Sequence, residues 1–308
     1  MKVLEVQNVT KYYEHVVAVK EVSFAVESGR IFGLLGPNGA GKTTTIRMIT
    51  YIILPDEGQV FFKGRPVGPW SQELMGYLPE ERGLYRKMRV GEQLEYFAML
   101  KGLSRRQAKE KVRYWLKRFD AESWYSRKTE ELSKGMQQKV QFIATIVHDP
   151  ELLIFDEPFS GLDPINAELL QEIIMELKAA GRTILFASHR MEQVEQLCDD
   201  ICLISSGRVV LSGSLRAIKK AYGRNHIVVE FEGEDTFVDA LEKMGWVKVE
   251  LRNQHRVELK LLDTIKPAEV LRFILDHVDD VYRFEVTEPP LNEIFVRAVQ
   301  GNIPVIQE

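Results

Sequence analysis

A chain of 308 residues, 45% of them hydrophobic, is long enough for two cores and suggests about two domains. A formal charge of −4 and a pI near 6.0 give no general electrostatic footprint for nucleic acid or for an anionic membrane surface. No apolar run approaches the roughly 18 residues of a membrane span, and Met1-Lys2-Val3-Leu4-Glu5 lacks an unbroken apolar core, so a cytoplasmic chain that does not itself cross a membrane is expected.

Val3 to Val9 and Val22 to Val26 read as two short strands of an antiparallel edge, joined through Thr10-Lys11-Tyr12-Tyr13-Glu14-His15. A ring on that connection, Tyr12 or Tyr13, can stack on a base; a half-buried surface tyrosine is the plainer alternative. The apolar run Ile31 to Leu35 reads as a buried parallel strand. It leads straight into Gly36-Pro37-Asn38-Gly39-Ala40-Gly41-Lys42-Thr43, a G-x-x-x-x-G-K-T sequence. Glycines there let the backbone wrap so that its N–H groups point at β- and γ-phosphates, Lys42 supplies a positive charge, and the Thr43 hydroxyl can ligate Mg²⁺. A helix beginning near Lys42 adds the positive end of its dipole and continues through Thr44 to Thr50. Pro55-Asp56-Glu57-Gly58 turns, and Gln59 to Lys63 and Gly76-Tyr77-Leu78-Pro79 follow as strands.

Apolar residues at helical spacing mark Val90 to Leu100 and Gln107 to Phe119, and Ser104 with Gln107 forms a capping box. This middle region is a helical insertion, closing at Glu131-Leu132-Ser133-Lys134-Gly135-Met136-Gln137, from which a helix runs to about Val147. Leu152-Leu153-Ile154-Phe155 is a strand that ends in Asp156-Glu157-Pro158. An acid at the carboxyl end of such a strand is where a phosphate-loop ATPase holds Mg²⁺, and Glu157 can take a proton from water attacking a γ-phosphate. Thr183 to Ala187 makes the next strand with Ser188-His189 at its tip; a lone histidine there is either structural or a γ-phosphate contact. The glycine-rich loop, Asp156, Glu157 and His189 thus converge where open α/β sheets bind ligands. Cys198 and Cys202 lack the second pair that a structural zinc site needs and read as core thiols.

These motifs, in this order, resemble the nucleotide-binding subunit of an ATP-binding cassette (ABC) transporter over roughly the first 220 residues. The resemblance implies that Tyr13 stacks on adenine and that Gly36 to Thr44 form the Walker A region. Ser133-Lys134-Gly135-Met136-Gln137 matches the signature, Asp156 the Walker B carboxylate and Glu157 the general base. Ser160-Gly161-Leu162-Asp163 matches the D-loop, and His189 the switch histidine. Two departures stand out. Glu80 occupies the place of a usual glutamine, where a carboxylate can face Mg²⁺ or the lytic water. Leu132-Ser133-Lys134-Gly135-Met136 replaces L-S-G-G-Q, keeping Ser133 and Gly135 but losing the glutamine side chain.

The implied fold is α/β: a P-loop ATPase core over 1–222 with an antiparallel edge subdomain and a helical insertion at about 84–148, using ATP and Mg²⁺. Two such subunits, identical or not, would close head to tail, the signature of one covering the ATP of the other. They would drive separate membrane permease subunits from the inner face of the membrane, in the export direction, through a groove lined by Leu84, Tyr85 and Met88. No nucleic-acid partner is implied. A soluble cassette ATPase acting on a macromolecular complex is the alternative; one phosphate loop, one signature and no sustained heptad run weigh against it.

Residues 223–308 read differently. Ile227, Val229 and Phe231 alternate with polar residues, as do Val247, Val249 and Leu251, then Val257, Leu259 and Leu261, then Tyr282, Phe284 and Val286. Phe237, Ala240, Leu241 and Met244, and Val270, Leu271, Ile274 and Val278, fall at helical spacing. The order β-α-β-β-α-β is that of a small α+β ferredoxin-like domain, with its polar sheet face open and a last helix from Leu291 to Val299.

Overall fold

A computed structural model describes residues 1–81, 83–223, 225–262 and 265–301, which divide into two compact units, Met1–Leu215 and Arg216–Glu308. In the first, β1 (Lys2–Tyr13) and β2 (Val16–Glu27) form a hairpin that turns at Glu14-His15. The loop expected between two shorter strands is therefore mostly strand, and Tyr12 and Tyr13 end β1. Asn8 and Glu21 take left-handed φ values of 49° and 52°, and the register shifts beside them. Each such bulge reverses the in–out alternation, which hides the length of the strands from a period-two reading.

β3 (Ile31–Leu35) leads through the glycine loop into α1 (Lys42–Ile49). β4 (Glu57–Phe62) pairs with β1, and β5 (Arg65–Pro66) with β4, giving an edge sheet in the order β2-β1-β4-β5. A single turn, α2 (Pro69–Gln72), precedes β6 (Met75–Leu78). The helical insertion supplies α3 (Val90–Leu100) and α4 (Arg105–Arg118), the latter opened by the expected Ser104–Gln107 capping box. α5 (Lys134–Ile146) leads to β7 (Leu152–Asp156), then α6 (Pro164–Ala179), β8 (Thr183–Ser188), α7 (Met191–Leu197), β9 (Asp200–Ser205) and β10 (Arg208–Ser214); α8 (Leu215–Tyr222) begins at the boundary and belongs, from Arg216 on, to the second unit.

The central sheet has the order β10-β9-β3-β8-β7-β6, parallel throughout except where β10 pairs with β9. β3, β7 and β8 are buried at every residue, as strands covered on both faces must be. Leu4, Val6 and Val60 of the edge sheet share one apolar core with Ile46 and Met48 of α1 and Leu34 and Ile154 of the central sheet. That shared core fixes α1, and with it the glycine loop, over the carboxyl ends of the parallel strands. Register then aligns the tips: Leu35 lies opposite Ser188, and Asp156 opposite Ala187. Both cysteines are buried and unpaired, and burial pushes the Cys202 thiol up to about 12.

The second unit runs β11 (His226–Glu232), α9 (Thr236–Lys243), β12 (Val247–Asn253), β13 (Arg256–Leu261), α10 (Pro267–Leu275), β14 (Asp280–Thr287) and α11 (Leu291–Val299). Its sheet is antiparallel in the order β12-β13-β11-β14, the ferredoxin-like arrangement. Ile227, Val229, Phe231 and Leu259 pack against Phe237, Leu241, Val270 and Ile274 of the two helices. The opposite face is not wholly open. Glu293 of α11 reaches Nε2 of His226 at 2.7 Å and also pairs with Lys260, so part of that face is covered. Alternation within strands shows which side chains leave the core face; it carries no sign of a later helix bringing them a counter-charge. No helix among the described residues is long and apolar enough to cross a membrane.

Candidate active site

The glycine loop holds its shape by backbone alone. Gly36 has φ 151°, and a Cβ there would stand 2.1 Å from the Ile204 carbonyl; at Gly41, with φ 104°, it would stand 2.6 Å from that of Ala18. Only glycine fits either position. No side chain caps α1, so the N–H groups of its first turn remain available to an anion. Lys42 is 7% exposed, and its ammonium donates to the carbonyls of Gly36 at 2.7 Å and Pro37 at 3.2 Å. Burial lowers its pKa, and Glu157, Asp156 and Glu80 work against that shift. The Thr43 hydroxyl donates to Oδ2 of Asp156 at 2.9 Å.

Asp156 is 1% exposed, and its Oδ1 has no hydrogen-bond partner. Burial pushes its pKa up to about 6, against the Thr43 bond and with help from Glu80 and Glu157. Glu157 follows with φ 51°, a left-handed conformation unusual outside glycine. Its N–H donates to the Ala187 carbonyl at 3.0 Å, which ties the turn to β8. The carboxylate is held from β8 as well: Oε2 accepts from Ser188 Oγ at 3.1 Å, and Oε1 accepts from His189 N at 2.8 Å and lies 2.6 Å from His189 Nδ1.

These groups surround a cavity of about 220 Å³ lined by Ala18, Asn38, Gly39, Ala40, Gly41, Lys42, Thr43, Thr44, Glu80, Asp156 and Glu157. A hydroxyl, an unpartnered buried carboxylate oxygen and a second carboxylate make an oxygen donor set that fits a hard divalent cation. The structure therefore brings together the residues read as phosphate-binding and metal-ligating. Gly36 and Pro37 lie behind the cavity, engaged by Lys42, and His189 sits on Glu157 rather than on the cavity wall.

Other predicted residues lie elsewhere. Tyr13 is 43% exposed at the tip of β1, with the Lys11 ammonium 6.0 Å from its ring centre, while the Tyr12 hydroxyl bonds Glu57 at 3.3 Å. Ser133 caps α5, accepting from Met136 N at 3.3 Å. Gly135 lies beside Gly161 and Leu162, and Asp163 caps α6. The N–H of Asn166 donates to Asp163 and holds its carboxyl below the usual range. Signature and D-loop thus adjoin each other and stand apart from the cavity of their own chain.

Three residues escaped the sequence reading. Gln141 donates through Nε2 to the carbonyls of Pro79 and Glu81, at 3.1 Å each, so it brackets Glu80. Gln138 does the same for Pro158 at 3.2 Å, beside Glu157. Ser188 is the third. The signal available for the glutamines is their spacing, i and i+3, among the core residues Val140, Phe142 and Ile143 of one helix.

Comparison with known proteins gives the family. A family described as ABC transporter matches residues 19–160, and one described as ATP-binding protein DrrA1-3-like, C-terminal domain, matches 213–299. YhaQ of Bacillus subtilis (strain 168), an uncharacterized ABC transporter ATP-binding protein, is 42% identical over 297 residues, 96% of this chain and 98% of its own. The chain belongs to the ABC transporter ATP-binding proteins. A Nod factor export ATP-binding protein of Cupriavidus metallidurans is 38% identical over 214 residues, covering 68% of this chain and 71% of its own. A solved ATP binding subunit of an ABC transporter superposes with a TM-score of 0.68 at 34% identity, over 72% of this chain and 93% of that one.

This ATP-binding subunit, an ABC ATPase, carries a second cavity, a groove of about 440 Å³ whose lining includes Ile52, Tyr77, Leu84, Phe97, Leu100, Lys101 and His148. Of the three residues expected to line it, Leu84 does. Tyr85 instead stacks on Phe97 of the lining with ring centres 5.8 Å apart, and the Met88 carbonyl accepts from the Thr129 N–H at 3.1 Å.

Proposed function

We propose that this subunit hydrolyses ATP at the phosphate-loop cavity and uses the cycle to drive a separate membrane permease in the export direction. In this reading Lys42 and the loop N–H groups bind the β- and γ-phosphates, and Asp156, Thr43 and Glu80 hold Mg²⁺. Mg²⁺ would supply positive charge to the phosphate oxygens. Glu157 takes the proton of the attacking water, and His189 contacts the γ-phosphate from its place on that carboxylate. Tyr13 stacks on adenine. Ser133, Gly135 and Asp163, none of which lines the cavity of its own chain, complete the cavity of a second subunit, identical or not, in a head-to-tail dimer. The groove beside α3 and α5 receives the permease: Ile52 and Leu100 of its lining are exposed, and exposed Tyr96 beside Phe97 extends the apolar surface. Docked there, the subunit works at the inner face of the membrane. Export follows the Nod factor export relative; the substrate lies with the permease.

One observation carries the enzymatic part: the Glu157 carboxylate is held by Ser188 and His189 at the wall of the cavity that also contains Lys42, Thr43 and Asp156. Glu157→Gln keeps the shape and removes the base. ATP binding should persist while turnover falls by roughly 10²–10⁴-fold, measured as phosphate release. Unchanged turnover would overturn the assignment. Co-purification with a membrane protein, lost when Leu84 or Phe97 is replaced by Asp, tests the groove.

A further inference from the structure

The cavity wall carries three carboxylates, Glu80, Asp156 and Glu157, and one cation, Lys42, a formal surplus of two negative charges. That cation is turned elsewhere, its ammonium on the carbonyls of Gly36 and Pro37. Glu157 is also engaged, by Ser188 and His189. Asp156 is not satisfied: Oδ2 accepts from Thr43, while Oδ1 has no partner although the residue is 1% exposed. A carboxylate oxygen so deeply buried needs a donor or a cation to meet it. Glu80 is exposed on the same wall and adds a full charge where an amide would add none. Gln141 fixes the peptides on both sides of it.

We propose, building on the nucleotide-site reading, that this cavity takes up a divalent cation before any nucleotide arrives, and that Glu80 is the residue that makes this possible. Asp156 Oδ1, the Glu80 carboxylate and the Thr43 hydroxyl supply oxygen ligands, and water fills the remaining positions. With an amide at position 80, most of the negative charge that attracts the cation has to arrive on the nucleotide's phosphates. With a carboxylate, the protein brings it, and the ion becomes a standing part of the phosphate site. All-oxygen donors favour Mg²⁺ or Mn²⁺ over ions that prefer nitrogen and sulfur. Binding then has an order: cation first, nucleotide second, with the bound ion drawing in the phosphates.

The test is a Mn²⁺ titration of the full chain without nucleotide, read from loss of the free-ion EPR signal. One saturable site is expected, displaced by Mg²⁺, weakened roughly tenfold or more by Glu80→Gln and abolished by Asp156→Asn. Circular dichroism of both variants separates loss of ligands from loss of fold. Equal Mn²⁺ affinity in Glu80→Gln and the parent, or no saturable binding by the parent, overturns the proposal. A fluorescent ATP analogue added with Mg²⁺ tells the two failures apart. If the analogue binds and Mn²⁺ alone does not, only the cation-first order is wrong; if the analogue does not bind either, the nucleotide-site reading fails with it.

Discussion

Ser188→Ala removes one hydroxyl that does two things: it donates to Glu157 Oε2 at 3.1 Å and accepts from Arg190 N at 3.1 Å. Ser188 is 0% exposed, so water cannot take its place. A hydrogen bond to a charged group contributes about 1.5–3 kcal/mol, and the neutral bond to Arg190 about 0.5–1.5 kcal/mol. Glu157 keeps the donation from His189 N at 2.8 Å, so the carboxylate is not abandoned. A net loss of about 2 kcal/mol is therefore expected in urea unfolding. Ser188→Ala, Glu157→Gln and the double variant form a cycle whose coupling should be about 1–2 kcal/mol, because the two side chains touch. ATP turnover should also fall, since the hydroxyl orients one oxygen of the proposed base. An additive cycle, with coupling below about 0.5 kcal/mol, would refute the claim that this serine holds the carboxylate.

Tyr13→Ala should weaken binding of a fluorescent ATP analogue by about 1–3 kcal/mol, and Tyr12→Ala, whose hydroxyl faces Glu57, by much less; equal losses would reverse the choice between them. His148 lies in the groove with its pKa lowered to about 4, first by burial and then by the Lys101 charge. Above the ordinary histidine value the group is neutral in folded and unfolded chains alike. As pH falls from about 6.5 to about 4 only the unfolded chain gains the proton, and stability drops by up to about 3 kcal/mol. His148→Gln should flatten that fall in urea midpoints between pH 7 and 5; an unaltered slope would exclude His148 as its source. A chain ending at Tyr222 should fold and bind ATP, because every cavity-lining residue precedes Leu215. A folded but nucleotide-free product would show that residues 223–308 belong to the nucleotide site.

What the sequence makes legible is local. The glycine loop, Asp156 and Glu157 announce themselves because each follows an unbroken apolar run, and the spacing of Ser104 and Gln107 fixes a helix start to the residue. The four strands of the second unit are visible because apolar residues alternate along each, but register shifts in the pairing of β12 and β14 leave Leu251 and Tyr282 exposed and put Val281 on the core instead. Long-range partners are not legible. Ser188 and Gln141 act on residues 31 and about 60 positions away, and nothing in their own stretch of chain names those partners. Bulges that reverse the alternation make the β1–β2 hairpin read shorter than it is. The segment from Arg190 to Tyr222 is not legible, because β9 pairs with β3 and its apolar residues answer to a strand distant in the chain.

The backbone of Glu157 has a consequence of its own. A side chain held at φ 51° carries a penalty of about 1–2 kcal/mol that glycine would not, and asparagine would bear it more lightly. Glycine would relieve that penalty but would lose the bonds the carboxylate accepts from Ser188 Oγ and His189 N, each contributing about 1.5–3 kcal/mol. The lost bonds outweigh the relieved strain, so Glu157→Gly should lower the urea midpoint rather than raise it. The carboxylate thus braces the strained turn that presents it, tying the end of β7 to the tip of β8.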